Sequence, residues 1–165
     1  MRNRISTWMI AAGLLIAPAI FASTSSNVQF QVSATVTADC SISVSDLSFG
    51  QYDPLGQNSS RELNAAAGVS MLCTRDARAT IVIDSGRNPD GTTRGLAAGG
   101  QRVAYQLYRD ADRTQVWGSG GADTLQFVSS GVQNPQQFVV YARIPPGQEV
   151  ASGTYSDVVT ATVDF

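Results

Sequence analysis

The chain has 165 residues, 43% apolar and 15% charged, with two cysteines and a net charge of −2. Its eleven basic residues are all arginine and it has no histidine, which excludes Ser-His-Asp and Cys-His catalysis, His-ligated metals, lysine Schiff bases and a P-loop lysine. Two cysteines cannot build a four-thiolate zinc site, and a pI near 4.9 offers no electrostatic footprint for nucleic acid. No catalytic residue, cofactor or metal site is assigned.

Residues 1–22 read as a secretory signal peptide. Arg2 and Arg4 form a charged start, Trp8 to Phe21 is an uncharged, mostly apolar run, and Ala22 is the expected last residue before cleavage. Cleavage after Ala19 is the alternative. The apolar run covers 14 residues and contains Pro18, too short for a spanning helix of about 20. Removing 22 of the 165 residues leaves 143, enough for one domain with its own core. Export makes Cys40 and Cys73 candidate disulfide partners, with two free buried thiols as the alternative.

The mature chain alternates with period 2 almost throughout, the signature of strands. Val28, Phe30, Val32, Ala34 and Val36 alternate with Gln29, Gln31, Ser33, Thr35 and Thr37. Cys40, Ile42 and Val44 continue the pattern. The segment from Gly50 to Ala67 is expected to be loop or edge strand, with room for a helical turn over Arg61–Ala67. Val69, Met71 and Cys73 resume the alternation, followed by Ile81 and Ile83. Asn88-Pro89-Asp90-Gly91 suits a type I turn. Val103, Tyr105 and Leu107 come next, then Leu125 and Phe127 beyond the Gly118–Gly121 break, then Phe138, Val140, Ala142 and Ile144. After Pro145-Pro146-Gly147 a last strand is expected over Thr154–Phe165, with Tyr155, Val159, Ala161, Val163 and Phe165 on one face. Eight or nine short strands without a helical stripe predict an all-β, antiparallel, immunoglobulin-like sandwich. Such a sandwich ordinarily places a further strand beside the last one. Without it, a hydrophobic groove and an unpaired edge would lie open.

Other signals carry less. Asp110-Ala111-Asp112 lacks the further ligands of a calcium loop and reads as a solvated turn. Asn58-Ser59-Ser60 is a glycosylation sequon read as coincidence. Trp117 and the tyrosines are expected in the core rather than on a carbohydrate face. The acidic residues show no convergent pair for a hydrolase.

Taken in order, several stretches resemble one family. They are Phe30–Val36 leading to Cys40, Leu47-Ser48-Phe49-Gly50 with Tyr52, and Val103–Tyr108 with Val116-Trp117-Gly118. Tyr141–Pro145 and Gly153–Asp157 running on to Phe165 complete the series. Together they resemble the spore coat protein U domain, a family that includes subunits of archaic (Csu-type) chaperone–usher pili. The resemblance implies a sandwich lacking its seventh strand and filled by donor-strand complementation. It implies as partners a periplasmic chaperone, an outer-membrane usher and neighbouring copies or related subunits, with export through the periplasm to a surface fibre. On this reading residues 23–37 are a donor-strand extension and residues 38–165 the pilin-like domain. Val28, Phe30, Val32, Ala34 and Val36 would be the plugs. Tyr155, Val159, Ala161, Val163 and Phe165 would border the groove. The chain is short for a two-domain tip adhesin and better suits a single-domain shaft or adaptor subunit. The alternatives are a monomeric secreted binding module and a spore- or cell-coat structural protein.

Overall fold

The structure, a computed structural model, describes residues 23–165; the signal peptide assigned to residues 1–22 lies outside them. The chain divides between Thr35 and Val36 into two units. In the first, Ser23–Thr35 form no strand, and Val28, Phe30 and Val32 are each more than 80% exposed. The alternation seen in the sequence is present without a ladder, because a strand is stabilised by its cross-strand neighbours and none pairs with these residues.

The second unit carries eight strands: β1 (Cys40–Val44), β2 (Leu63–Cys73), β3 (Arg78–Ile83), β4 (Arg94–Ala98), β5 (Gln101–Tyr108), β6 (Leu125–Val128), β7 (Gln136–Ile144) and β8 (Ala161–Asp164). They form two antiparallel sheets, one of five strands in the order β1-β2-β7-β5-β4 and one of three in the order β6-β3-β8. The all-β antiparallel sandwich predicted from the alternation is the observed fold. Val69, Met71, Val140, Ala142, Leu107 and Tyr105 face inward from the larger sheet, and Ala79, Ile81 and Ile83 from the smaller. Trp117 is fully buried and donates its indole N–H to the Ile81 carbonyl at 3.1 Å, so it belongs to the core.

The structure differs from the sequence expectations at five places. The long strand β2 begins at Leu63, inside the stretch expected to be loop or edge, and lies between β1 and β7. Leu63, Ala65 and Ala67 share the inward phase of Val69, and the small alanines let β2 pack closely there. The helical turn sits earlier, as a 3-10 turn over Gln57–Ser59.

β4 went unanticipated because Arg94-Gly95-Leu96-Ala97-Ala98 has no β-branched residue. Its hairpin partner β5 holds it, across a Gly99-Gly100 turn in which both glycines have positive φ (51° and 85°), the conformation a two-residue hairpin turn demands. The turn expected over Asn88–Gly91 closes two residues later, where Asp90 and Thr93 exchange both backbone hydrogen bonds at 2.9 and 3.0 Å.

The C-terminal stretch is not one strand. Ser156 pairs with Ala97 of β4, and from Thr160 onward the chain pairs with β3. The chain crosses from one sheet to the other at Asp157, and the apolar alternation continues because both sheets face the same core.

Two loops close the questions raised above. Asn58 is 1% exposed, accepting from the Asp53 N–H at 2.9 Å and donating to the Arg61 carbonyl at 3.1 Å, which makes its carboxamide a loop strut. The Asp110 carboxylate accepts from the backbone of Thr114 and Gln115, the local bonding of a polar turn. Among the described residues no helix is long and apolar enough to cross a membrane.

Candidate functional site: an open groove at the sandwich edge

β1 and β8 are edge strands of opposite sheets, and each has a ladder on one side only. Between them the core is open. A cavity of about 590 Å³ is walled by Ile42 and Val44 on one side and by Val158, Val159 and Ala161 on the other. Its floor is the inner face of both sheets: Val69, Val140 and Leu107 from the larger, Ile81 and Ile83 from the smaller. These side chains are individually well covered, yet together they flank a space no described residue fills. A second cavity of about 770 Å³ continues past Leu47, Phe49, Leu96 and Asp157, which line both.

Cys40 and Cys73 sit directly opposite each other in the β1–β2 ladder, with Cα atoms 4.1 Å apart, and are joined by a disulfide. β1 has only five residues and one neighbouring strand, so the bond pins the start of one groove wall to the core. The other wall is held by carboxylates. Asp157 accepts from the Arg87 N–H (2.9 Å), the Asn88 side-chain amide (3.1 Å) and the Tyr105 hydroxyl (2.8 Å). Burial, reinforced by the hydrogen bond to Asp157, pushes the Tyr105 phenol above its ordinary range, so it remains a donor. Gly86 is required beside this carboxylate: its φ is +75°, and a Cβ there would lie 2.1 Å from Asp157 Oδ2.

Behind the groove, Arg94 is only 2% exposed and reaches the carbonyls of Asp84 (2.8 Å), Ile83 (3.0 Å) and Trp117 (2.9 Å), with Gln106 as a further acceptor. It ties β4 to the end of β3 and to the Trp117 segment. The Asp84 carboxylate in turn accepts from the N–H groups of Gly86 and Thr160, both at 2.9 Å. Burial works against ionisation of Asp84, but hydrogen bonds from Thr160 and Gly86 outweigh it and hold its pKa below the ordinary carboxylate value.

A carboxyl whose folded pKa lies below its unfolded one adds stability that is complete above the unfolded value and is lost as pH falls through the folded one. Asp84→Asn is therefore expected to lower stability at pH 7 and to flatten the loss of stability below about pH 4. Urea midpoints of both proteins at pH 7 and pH 3 check this. An unchanged acid loss in the variant would contradict it.

The structure places the residues assigned from sequence as follows. Val159 and Ala161 line the first cavity and Tyr155 the second, while Val163 packs on the core and Phe165 is 56% exposed. Val28, Phe30, Val32, Ala34 and Val36 are exposed and lie on no strand. Sequence reasoning missed the opposite wall and the floor. Leu47 and Phe49 fall one residue out of phase with Ile42 and Val44, a shift across Ser45-Asp46 that was visible but not interpreted. Arg94 and Asp84 carried no sequence signal beyond being charged.

The fold and groove together define a class: an immunoglobulin-like sandwich open along one edge, its exposed inner face bordered by two unpaired strand edges. The profile of the Spore Coat Protein U domain matches residues 26–162, and the chain belongs to that family. It is 36% identical to "Protein U" of Myxococcus xanthus over 171 residues, covering 94% of this chain and 93% of that protein. Among solved structures it is similar to a chain of the CsuC–CsuE chaperone–tip adhesion subunit pre-assembly complex from the archaic chaperone–usher Csu pili of Acinetobacter baumannii. That similarity has a TM-score of 0.57 at 21% identity and covers 79% of this chain but 41% of that one, so it speaks to the fold.

Proposed function

We propose that this protein is a structural subunit of a secreted surface fibre, assembled by donor-strand exchange after chaperone–usher export and serving adhesion or biofilm formation. The observation that carries this reading is the open groove between β1 and β8, with apolar walls and an unpaired backbone edge on either side. A β-strand is the ligand such a groove fits: its backbone completes the ladders and every second side chain enters the core. The structural neighbour, a chaperone–subunit complex by its title, supports the reading.

The donor proposed is the segment Val28–Val36 of a neighbouring copy or a related subunit, preceded in the periplasm by a chaperone strand and exchanged at the outer-membrane usher. Its alternate residues Val28, Phe30, Val32, Ala34 and Val36 are exposed in their own chain. Burying the three valines and the phenylalanine contributes roughly 6–12 kcal/mol before ordering costs. Residues 23–37 contain no proline, so every backbone donor is available, and Gln29, Gln31, Ser33 and Thr35 keep the other face polar. On this reading residues 23–37 act as the extension and residues 38–165 as the receiving domain, and enzymatic chemistry has no part. A coat-forming protein that assembles through the same groove is the second reading, favoured by the family to which the chain belongs.

Deletion of residues 23–37 tests the proposal. The truncated subunit is expected to be recovered bound to its chaperone and to form no polymers, as read by size-exclusion chromatography and by ladders resistant to mild denaturant. Polymers of wild-type length from the truncated chain would refute the donor assignment.

A further inference from the structure

Resting on that donor reading, we infer that Thr74 is a latch that stops the extension from folding back onto its own β1. That strand has a free edge, and the extension directly precedes it in the chain. A turn just before Cys40 would lay residues 28–36 along that edge and close the groove within one molecule. The backbone of Asp39 stands in the way. Its N–H donates to the Thr74 hydroxyl at 3.2 Å, and its carbonyl accepts from the Thr74 N–H at 2.9 Å. A hydrogen-bonded pair in an antiparallel ladder ordinarily exchanges two backbone bonds. Here the Thr74 carbonyl is taken by the Ala77 N–H at 3.2 Å, and the hydroxyl serves in its place. Ser129, 4% exposed, fixes this turn from behind: its N–H reaches the Ala77 carbonyl at 2.9 Å and its hydroxyl the Cys73 carbonyl at 3.1 Å.

Phase narrows the turns that could bring the extension back. Ile42 and Val44 line the groove, and residues directly opposite on paired strands share a face. A returning strand therefore fills the core only if its even-numbered apolar residues lie opposite Cys40, Ile42 and Val44. A three-residue turn over 37–39 achieves this, setting Val36 opposite Cys40 and Ala34 opposite Ile42, and a five-residue turn over 35–39 keeps the same phase. Turns of two or four residues shift the register by one and send Gln31, Ser33 and Thr35 inward. Every in-phase turn that ends before Cys40 thus contains Asp39.

The common three-residue hairpin turn finishes on a left-handed residue, the place Asp39 would take. No glycine or asparagine occurs from Val28 to Phe49, so aspartate is the residue there best able to adopt that conformation. Bonded twice to Thr74, it keeps a negative φ and continues the β1–β2 ladder past the disulfide instead.

Asp39→Gly with Thr74→Val supplies the left-handed residue and removes the hydroxyl. Produced with the chaperone, the full chain carrying both is expected to lose polymer at least about fivefold and to accumulate as a chaperone-free monomer. Phe30, 83% exposed in the wild-type chain, should resist chymotrypsin in that monomer. Asp39→Gly alone keeps both backbone bonds and is expected to polymerise as wild type, as is Thr74→Ser. The double variant lacking residues 23–37 reports the fold by itself and should be recovered with the chaperone as the deletion alone is. Its loss would mean that Thr74 holds the domain together rather than the extension away, and would overturn the latch. Wild-type polymer yield from the double variant, or an equal loss from Asp39→Gly alone, would also overturn it. If deleting residues 23–37 abolishes polymers while the double variant assembles normally, the latch fails and the donor reading stands. If that deletion leaves polymers intact, the donor reading itself fails.

Discussion

Phe30→Asp is expected to abolish polymerisation while leaving the subunit folded and able to bind its chaperone. Phe30 is 83% exposed in its own chain, so the substitution removes no contact from the sandwich. In the groove of the next copy the same side chain would meet a floor of Val69, Leu107, Ile81 and Val140, whose side chains offer no hydrogen bond to a carboxylate. The change forfeits about 1.5–3 kcal/mol of apolar burial and adds the cost of an unpaired charge, several kcal/mol more. A combined loss of about 5 kcal/mol lowers the exchange equilibrium by more than a thousandfold. Polymer ladders on gels report assembly, and thermal unfolding of the chaperone complex reports folding. Ladders at the wild-type level would show that Phe30 does not enter a groove.

Removing the disulfide with a Cys40→Ala, Cys73→Ala double substitution is expected to cost about 2–5 kcal/mol of stability. The two cysteines are 33 positions apart, and constraining that loop in the unfolded chain gives about 3.5–4 kcal/mol in the chain-entropy view. The structure adds a local reason. β1 is five residues long and paired on one side, so without the bond its first residues fray and the groove loses a wall. For a domain of this size the loss corresponds to a fall in Tm of about 10 °C. Thermal unfolding of the double variant beside the oxidised wild type measures it, and assembly should weaken in parallel. Equal Tm values would mean that the β1–β2 ladder alone holds the wall.

The sandwich was legible because inward positions in this chain are nearly all apolar and alternate without interruption, from Cys40-Ile42-Val44 to Phe138–Ile144. What escaped was everything decided by pairing between distant segments. β4 contains glycine and alanine where a strand usually carries branched residues, and exists because Gly99-Gly100 folds it onto β5. The C-terminal stretch reads as one strand, but Asp157, a polar residue in an inward phase, marks where it leaves β4 for β3. The apolar residues on either side keep step, which masks the crossing in the sequence.

The groove shows the same division. Its C-terminal wall could be named in advance, because Val159 and Ala161 alternate up to the end of the chain. The facing wall of Ile42, Val44, Leu47 and Phe49 could not, since its phase shift at Ser45-Asp46 has meaning only once β1 is known to pair on a single side. The clasp of Arg94, Asp84, Tyr105 and Asp157 joins residues up to 73 positions apart, as Asp84 follows β3 and Asp157 precedes β8, and the β3–β8 pairing brings the two segments together. No local pattern marks such a clasp.

The central claim is that the groove between β1 and β8 is completed by residues 28–36 of another copy or a related subunit. Electron cryo-microscopy of the assembled polymer tests it most directly. The expected map shows a strand traced from one subunit lying in the groove between β1 and β8 of the next, with its alternate apolar residues turned toward the core. A groove that is empty, or filled by the extension of its own chain while subunits meet on other surfaces, would contradict the account.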